Sequence, residues 1–404
     1  MLNIDKIETD ELHKLQRAVA YLFSPDNAKN LQFIRNLEEN AVKKAYRNKA
    51  RRYHPDLHQN DTPEMIERRL ERFKNIQQSY KFILKFMDAG GNGEYEFTPG
   101  KTITIAVGGA KGGIGKSIFA INLGVYLSSK GKKVVIADFD LGGANVHLYL
   151  GEMILRKKIN DYIGNPSADI SDFIMDSKYG PKLLGGDSSQ LGAANIKFGT
   201  KLKLMRAVKQ IDADYIIIDL GGDTSFNIID FFNSADRQIV VTTEDPASYL
   251  EAYRFIKVSL YRKINRLFGV ESEFRKQKDK ELQQLIYEST IAKSDRHVKT
   301  IHALLDRVRE EMPLKYSFLQ EVISAFNPFL VVNRVPPDAS ANKIANHIQD
   351  VARKMLAIDV MYLGKISHQK EVEQSARELM PAVAKDPDGK TASEIAFIAE
   401  GLLK

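Results

Sequence analysis

A chain of 404 residues is long enough for two or three domains. Its 43% hydrophobic and 27% charged residues exclude wholesale disorder, and the absence of cysteine excludes disulfide scaffolds, thiol nucleophiles and cysteine-bound zinc or iron–sulfur clusters. The net charge of +7 permits contact with nucleic acid or anionic lipid without demanding either.

The N-terminus, MLNIDKIETDELHK, carries acids where a secretory leader would carry an apolar run, and no stretch reaches the roughly 18–20 apolar residues of a spanning helix. A soluble, cytoplasmic protein is expected. Residues 1–88 read as helix almost throughout. Val42, Tyr46, Ala50 and Tyr53 recur at helical spacing, as do Ile66, Leu70, Phe73, Tyr80 and Ile83/Leu84. Between these two amphipathic helices stands His54-Pro55-Asp56, and Pro55 ends the first of them. Lys43, Arg47 and Arg51, joined by Lys44 and Arg52, form a basic stripe that in isolation reads as a solvated face. With His54-Pro55-Asp56 and the run Phe73, Ile76, Ser79, Tyr80, the arrangement resembles a J-domain. The resemblance implies a DnaK-type chaperone as partner, docked through His54, Pro55, Asp56, Lys43, Arg47 and Arg51. Residues 1–36 show no sign of the short first helix usual in such a domain.

Ala89-Gly90-Gly91-Asn92-Gly93 and Thr98-Pro99-Gly100 mark a linker over 89–100. Beyond it, short apolar runs alternate with helical patterns. The runs are Thr102–Val107, Lys133–Ala137, Pro181–Leu184, Tyr215–Ile218, Gln238–Thr242, Phe329–Val332 and Val360–Gly364. Most are continuously apolar, as strands buried on both faces are, so residues 101–404 are expected to form an α/β, doubly wound, mostly parallel sheet. An interval near 249–326 is too long for a structureless loop and reads as an insertion of two to four helices.

The first strand is followed by Gly108-Gly109-Ala110-Lys111-Gly112-Gly113-Ile114-Gly115-Lys116-Ser117 and then by a helical pattern from Ile118 to Ser128. Strand, glycine-rich loop and helix together make a phosphate-binding P-loop: Gly112, Gly113, Ile114, Gly115, Lys116, Ser117 and Ile118 offer backbone N–H groups and a helix N-terminus to phosphate oxygens. Lys116 would reach the β and γ phosphates, and the Ser117 hydroxyl would ligate Mg²⁺. Ala110 stands where the general pattern has its first glycine.

Lys111, placed directly before Gly112-Gly113, marks the loop as a deviant Walker A motif, and the chain here resembles the MinD/ParA family of dimerising ATPases. That resemblance implies ATP and Mg²⁺ as ligands, a homodimer formed on ATP binding, and a Lys111 that crosses to the partner's phosphates. Asp138 and Asp140 lie on one face at the end of the second strand, as period-two spacing requires. By resemblance, Asp138 supports the metal shell and Asp140 orients the attacking water. Asp219, closing Tyr215–Ile218, matches a Walker B aspartate that holds Mg²⁺, with Gly221-Gly222 as a switch loop. Asn333 resembles the residue that meets the adenine edge, whereas the later loop, Ile366-Ser367-His368-Gln369, departs from the family's Pro-x-Asp.

Without cysteine the metal-carrying branches fall away and the positioning ATPases remain. Val241 to Ser248, Ala252-Tyr253, Ile256-Lys257 and the closing run from Tyr362 through Ala392 look most like the flagellar-number regulators FlhG/FleN. This implies a regulator of the place or number of flagella or of another polar assembly. It would be cytoplasmic, with attachment at a cell pole or membrane as an open possibility. A ParA-like DNA or cargo segregation ATPase and a nucleotide-sensing co-chaperone adaptor stand as alternatives. Ile395, Ile398 and Leu402 have helical spacing and are expected to pack on the core rather than seat on a membrane.

Overall fold

The computed structural model describes residues 9–53, 76, 79–80, 82–84, 86–87, 102–140, 142–165, 168–186, 196, 198–268, 280–290 and 300–403. The His54-Pro55-Asp56 turn, Ile66, Leu70, Phe73 and the linker 89–100 lie outside those residues. The chain divides into two compact units, Met1–Pro99 and Gly100–Lys404.

In the first unit, α1 (Thr9–Leu22), α2 (Pro25–Lys29), α3 (Leu31–Arg35) and α4 (Glu39–Tyr53) follow one another closely. Their apolar positions meet in one cluster, with Leu15, Val19, Leu22, Ile34 and Val42 buried against Ile76 and Ile83. Tyr46 of α4 stacks on Tyr80, the ring centroids 4.1 Å apart. The short helix that the sequence reading missed is α3. Five residues are too few to show a 3.6-residue period, but Asn30 caps it by accepting the Phe33 N–H at 3.0 Å. On α4, Lys43 pairs with Glu39 one turn earlier, Lys44 is exposed, and Arg47 and Arg51 fall on the same helix.

The second unit contains β1 (Ile103–Gly108), α5 (Lys116–Ser129), β2 (Val134–Asp138), α6 (Val146–Tyr149), α7 (Ile159–Gly164), β3 (Ile174–Met175), β4 (Lys182–Leu184), α8 (Phe198–Val208), β5 (Tyr215–Asp219), α9 (Phe226–Ser234) and β6 (Arg237–Thr242). It continues with α10 (Pro246–Phe268), α11 (Lys280–Thr290), α12 (Ile301–Glu311), α13 (Pro313–Ser324), β7 (Phe329–Val335), α14 (Ala341–Leu356), β8 (Met361–Ser367), α15 (Lys370–Arg377), α16 (Ala382–Lys385) and α17 (Lys390–Leu403). The strands form one sheet in the order β3-β4-β2-β5-β1-β6-β7-β8. All neighbours are parallel except β3 against β4.

Every residue of β2 and β5 is buried, which is why their sequences are apolar without alternation. One face is covered by α8, α9, α10, α12 and α14; the other by α5 and α17, whose Ile395, Ile398 and Leu402 are buried. The strand that sequence did not anticipate is β3, a two-residue antiparallel edge. Helices α10 to α13 occupy the interval between β6 and β7. Among the described residues no helix is long and apolar enough to cross a membrane.

Candidate nucleotide site

The carboxyl ends of parallel strands are where an open α/β sheet binds ligands, and here β2 and β5 each end in a buried aspartate. From β1 the chain turns through Gly109 into the loop and re-enters helix at Lys116. Gly115, the residue before α5, has φ +91°, a left-handed conformation that favours glycine. A Cβ there would also lie 2.3 Å from the Asn333 amide nitrogen. That amide donates to the Ile114 carbonyl at 2.8 Å, so the end of β7 holds the loop from the side. Gly112 and Gly113 are exposed, while Ile114 is buried beneath them.

Lys116 is buried, and its Nζ donates to the Lys111 carbonyl at 3.1 Å, folding the ammonium back into the loop. Burial lowers its pKa, while Asp219, Asp140 and Asp223 act in the opposite sense. A Cβ on Gly222 would lie 3.1 Å from that Nζ and 3.0 Å from the Gly112 nitrogen. The loop after β5 therefore rests on the phosphate loop, with glycine at the point of contact.

Asp138 and Asp219 are register partners across β2 and β5, and each is only 1% exposed. Their surroundings differ. The oxygens of Asp138 accept the Asp140 N–H at 3.2 Å and the Val146 N–H at 3.1 Å, so this carboxylate braces the turn between β2 and α6. Neither oxygen of Asp219 has a hydrogen-bond partner. Burial pushes the Asp219 carboxyl up to about 7, against the pull of the nearby Ser117 hydroxyl and Lys116 ammonium. Asp138 is also held well above the usual carboxylate range, by burial first and by Asp219 second. Asp140 is partly exposed and lies between the two glycine turns: a Cβ on Gly221 would be 3.0 Å from one of its oxygens, and one on Gly143 3.2 Å from the other.

An orphaned, buried carboxylate beside a hydroxyl fits a hard cation that keeps oxygen ligands from protein, water and phosphate.

Sequence reasoning brought together Lys116, Ser117, Asp138, Asp140, Asp219 and Asn333, and the structure places them along one edge of the sheet. It missed the partner of Lys111. The Lys111 ammonium lies 2.5 Å from the Asp245 carboxylate, with both side chains at least 41% exposed. The hydrogen bond from Lys111 holds the Asp245 carboxyl below its usual range. Asp245 also accepts the Ser248 N–H at 3.1 Å in the first turn of α10, a capping position readable from sequence as Asp-Pro opening a helix.

A second feature escaped it. Asp230 on α9 is fully buried and meets Lys201 of α8 together with Arg262 and Arg266 of α10. Arg262 bonds it twice, at 2.8 and 3.1 Å. Burial raises the Asp230 carboxyl, but Arg262 and Lys201 outweigh it and hold the group below its usual value. No local spacing could have announced partners 29 and 32 residues away.

A parallel sheet with a phosphate loop after its first strand, and carboxylates at the ends of the strands on one side, is the architecture of a P-loop nucleotide-binding protein. The chain belongs to the CobQ/CobB/MinD/ParA nucleotide-binding domain family, whose model matches residues 105–382. Residues 29–85 match the DnaJ domain, a span that opens just ahead of α3.

Among curated relatives, the flagellum site-determining protein YlxH of Helicobacter pylori is 30% identical over 193 residues, which is 47% of this chain and 60% of that protein. The antiactivator FleN of Pseudomonas aeruginosa is 27% identical over 156 residues, 38% of this chain and 55% of that one. The chain thus spans less than two thirds of the length of these relatives. In fold it is similar to the septum site-determining protein MinD of Pyrococcus horikoshii, solved in complex with Mg-ADP. The TM-score is 0.50 at 20% identity, over 75% of this chain and 96% of that one.

Proposed function

We propose that this chain is an ATP-driven dimerising switch that hydrolyses ATP and carries a chaperone-recruiting module. The observation that supports it most is the meeting of a glycine loop folded around Lys116 with the unpartnered carboxylate of Asp219. Backbone N–H groups of Gly112 to Ile118 and the Lys116 ammonium hold the phosphate chain. Ser117 and Asp219 would hold Mg²⁺, which when bound neutralises charge on the phosphate oxygens, and Asp138 acts on that site through the turn it braces. Asp140 orients the water. As the water oxygen bonds to the γ phosphorus, the bond from that phosphorus to the β–γ bridging oxygen breaks. ADP and phosphate leave, and the water's proton passes to Asp140 and on to solvent. Asn333 places the base by fixing the loop.

Lys111 leaves Asp245 and neutralises the phosphates of a second copy, so the dimer lasts as long as the triphosphate does. In the N-terminal unit, His54-Pro55-Asp56 stimulates a DnaK-type chaperone that docks on Lys43, Arg47 and Arg51. The name of the relative YlxH, a flagellum site-determining protein, supports a role in setting the site of flagella; the number of flagella or another polar assembly, in the cytoplasm and at a cell pole, completes the proposed role. The 1–88 module, the 89–100 linker and the 101–404 ATPase are read as separable parts.

The test is sedimentation velocity of the purified chain with Mg-ATP, Mg-ADP or no nucleotide, alongside phosphate release. A dimer seen only with ATP, together with turnover, is expected. A monomer under every condition overturns the proposal.

A further inference from the structure

The two most exposed large apolar side chains among the described residues stand side by side. Met153 is 69% exposed and Ile154 74%, in the stretch that joins α6 to α7. Scattered exposed hydrophobes are ordinary, but an adjacent pair this bare marks a site of contact when the backbone is built to present it.

Here it is. Gly151, at φ +84°, turns the chain out of α6. Its N–H donates to the Leu148 carbonyl at 3.1 Å, and the Glu152 N–H to the His147 carbonyl at 2.9 Å. Behind them the Lys178 N–H donates to the Leu150 carbonyl at 3.3 Å. On the far side Leu155 turns inward: a Cβ on Gly185 would lie 2.5 Å from its Cδ2, so a glycine is needed beneath it. The Ile159 N–H then donates to the Gly185 carbonyl at 2.8 Å. Both flanks are fastened, and Met153 and Ile154 are held out in water between them.

The chain next turns basic. Arg156 and Lys157 are exposed and Lys158 is half-buried, against a single half-buried acid, Glu152, in residues 151–158. A projecting apolar pair followed by cations suits a fluid, negatively charged surface, into which side chains sink without a matching socket. A protein partner would have to supply both the socket and the acids in register. The closing helix α17 offers no such pair, because its Ile395, Ile398 and Leu402 are buried in the core.

We propose that residues 151–158 form a lipid-contacting tip, which sets Met153 and Ile154 into the interface of an anionic bilayer with Arg156 and Lys157 on the headgroups. The contact is weak and salt-sensitive, since two side chains and two charges carry it. It does not depend on the nucleotide reading.

The experiment is co-sedimentation of the full chain with vesicles of phosphatidylcholine alone or mixed with phosphatidylglycerol, at low and high salt. Binding to the mixed vesicles that weakens with salt is expected, with little on the neutral ones. Met153→Ser combined with Ile154→Ser lowers the partition coefficient by at least about 10-fold. Arg156→Gln and Lys157→Gln lower it by about 5-fold each on the mixed vesicles alone. The chain has no tryptophan, so Ile154→Trp adds a single reporter that keeps the apolar character of the tip. Its emission shifts to the blue on mixed vesicles and is quenched by brominated acyl chains. A chain that ignores both vesicles overturns the proposal and leaves the tip to a protein socket. Binding that survives the serine variants, or a bound chain whose tryptophan stays in water, overturns it as well.

Discussion

Lys111 and Asp245 of one chain form an ion pair 2.5 Å long, although they stand 134 residues apart. The same ammonium is the one proposed to serve a second subunit. On that proposal it cannot do both, and the pair would hold Lys111 at home until a triphosphate and a partner drew it from the aspartate. An exposed ion pair is a weak restraint, which would suit a contact that opens in every cycle of such a switch.

Removing either member should move the dimer in opposite directions. Lys111→Ala leaves ATP binding intact and abolishes the ATP-dependent dimer in sedimentation. Asp245→Asn keeps the cap on α10 but drops the charge, and should lower the ATP concentration for half-dimerisation by about two- to fivefold. A higher concentration would contradict the restraint.

Asp140→Ala should lower phosphate release by at least about 100-fold while the ATP-bound dimer accumulates. The residue is partly exposed and its turn is braced by Asp138, so the substitution leaves the fold in place. Measured turnover close to that of the unmodified chain would remove Asp140 from the mechanism.

The ligand-free chain should lose stability as pH rises from about 4 to 7. Asp219 ionises near pH 4 when unfolded but only near 7 when folded, so across that window the native state binds more protons and stability falls with pH. The loss is on the order of a few kcal/mol. Mg-ATP, by placing positive charge against the ionised carboxylate, should flatten the profile, and Asp219→Asn should make it shallower without any ligand, leaving the share that comes from the raised Asp138 carboxyl. Thermal melts at pH 5 and 8, with and without Mg-ATP, read all three effects.

Asp230→Ala should destabilise the chain by about 3–5 kcal/mol in urea, because it leaves buried cations without their shared anion. Lys201→Met should cost much less, since Arg262 and Arg266 still neutralise the carboxylate.

The strands were legible because β2 and β5 are buried end to end, so their apolar runs need no period to be recognised. The phosphate loop was legible because Gly115 must take a left-handed backbone and Lys116 must follow it, and only a narrow set of residues meets both demands. The two carboxylates at 138 and 219 could be located, but their division of labour could not. Which one keeps free oxygens depends on where the Asp140 and Val146 amides fold back. The α3 helix and β3 are too short to carry a period. Lys111–Asp245 and the Asp230 cluster join residues that only the assembled sheet brings near.

Those three cations around Asp230 also limit how the molecule can move. Helix α9 starts at Phe226, just after Gly221 to Ser225, and Asp230 moors it to α8 and α10 one turn further on. On the proposed function, a phosphate that displaced the glycine turn would meet that mooring at Asp230, and the motion would fall within Gly221 to Ser225, with the helix behind them as the fixed post.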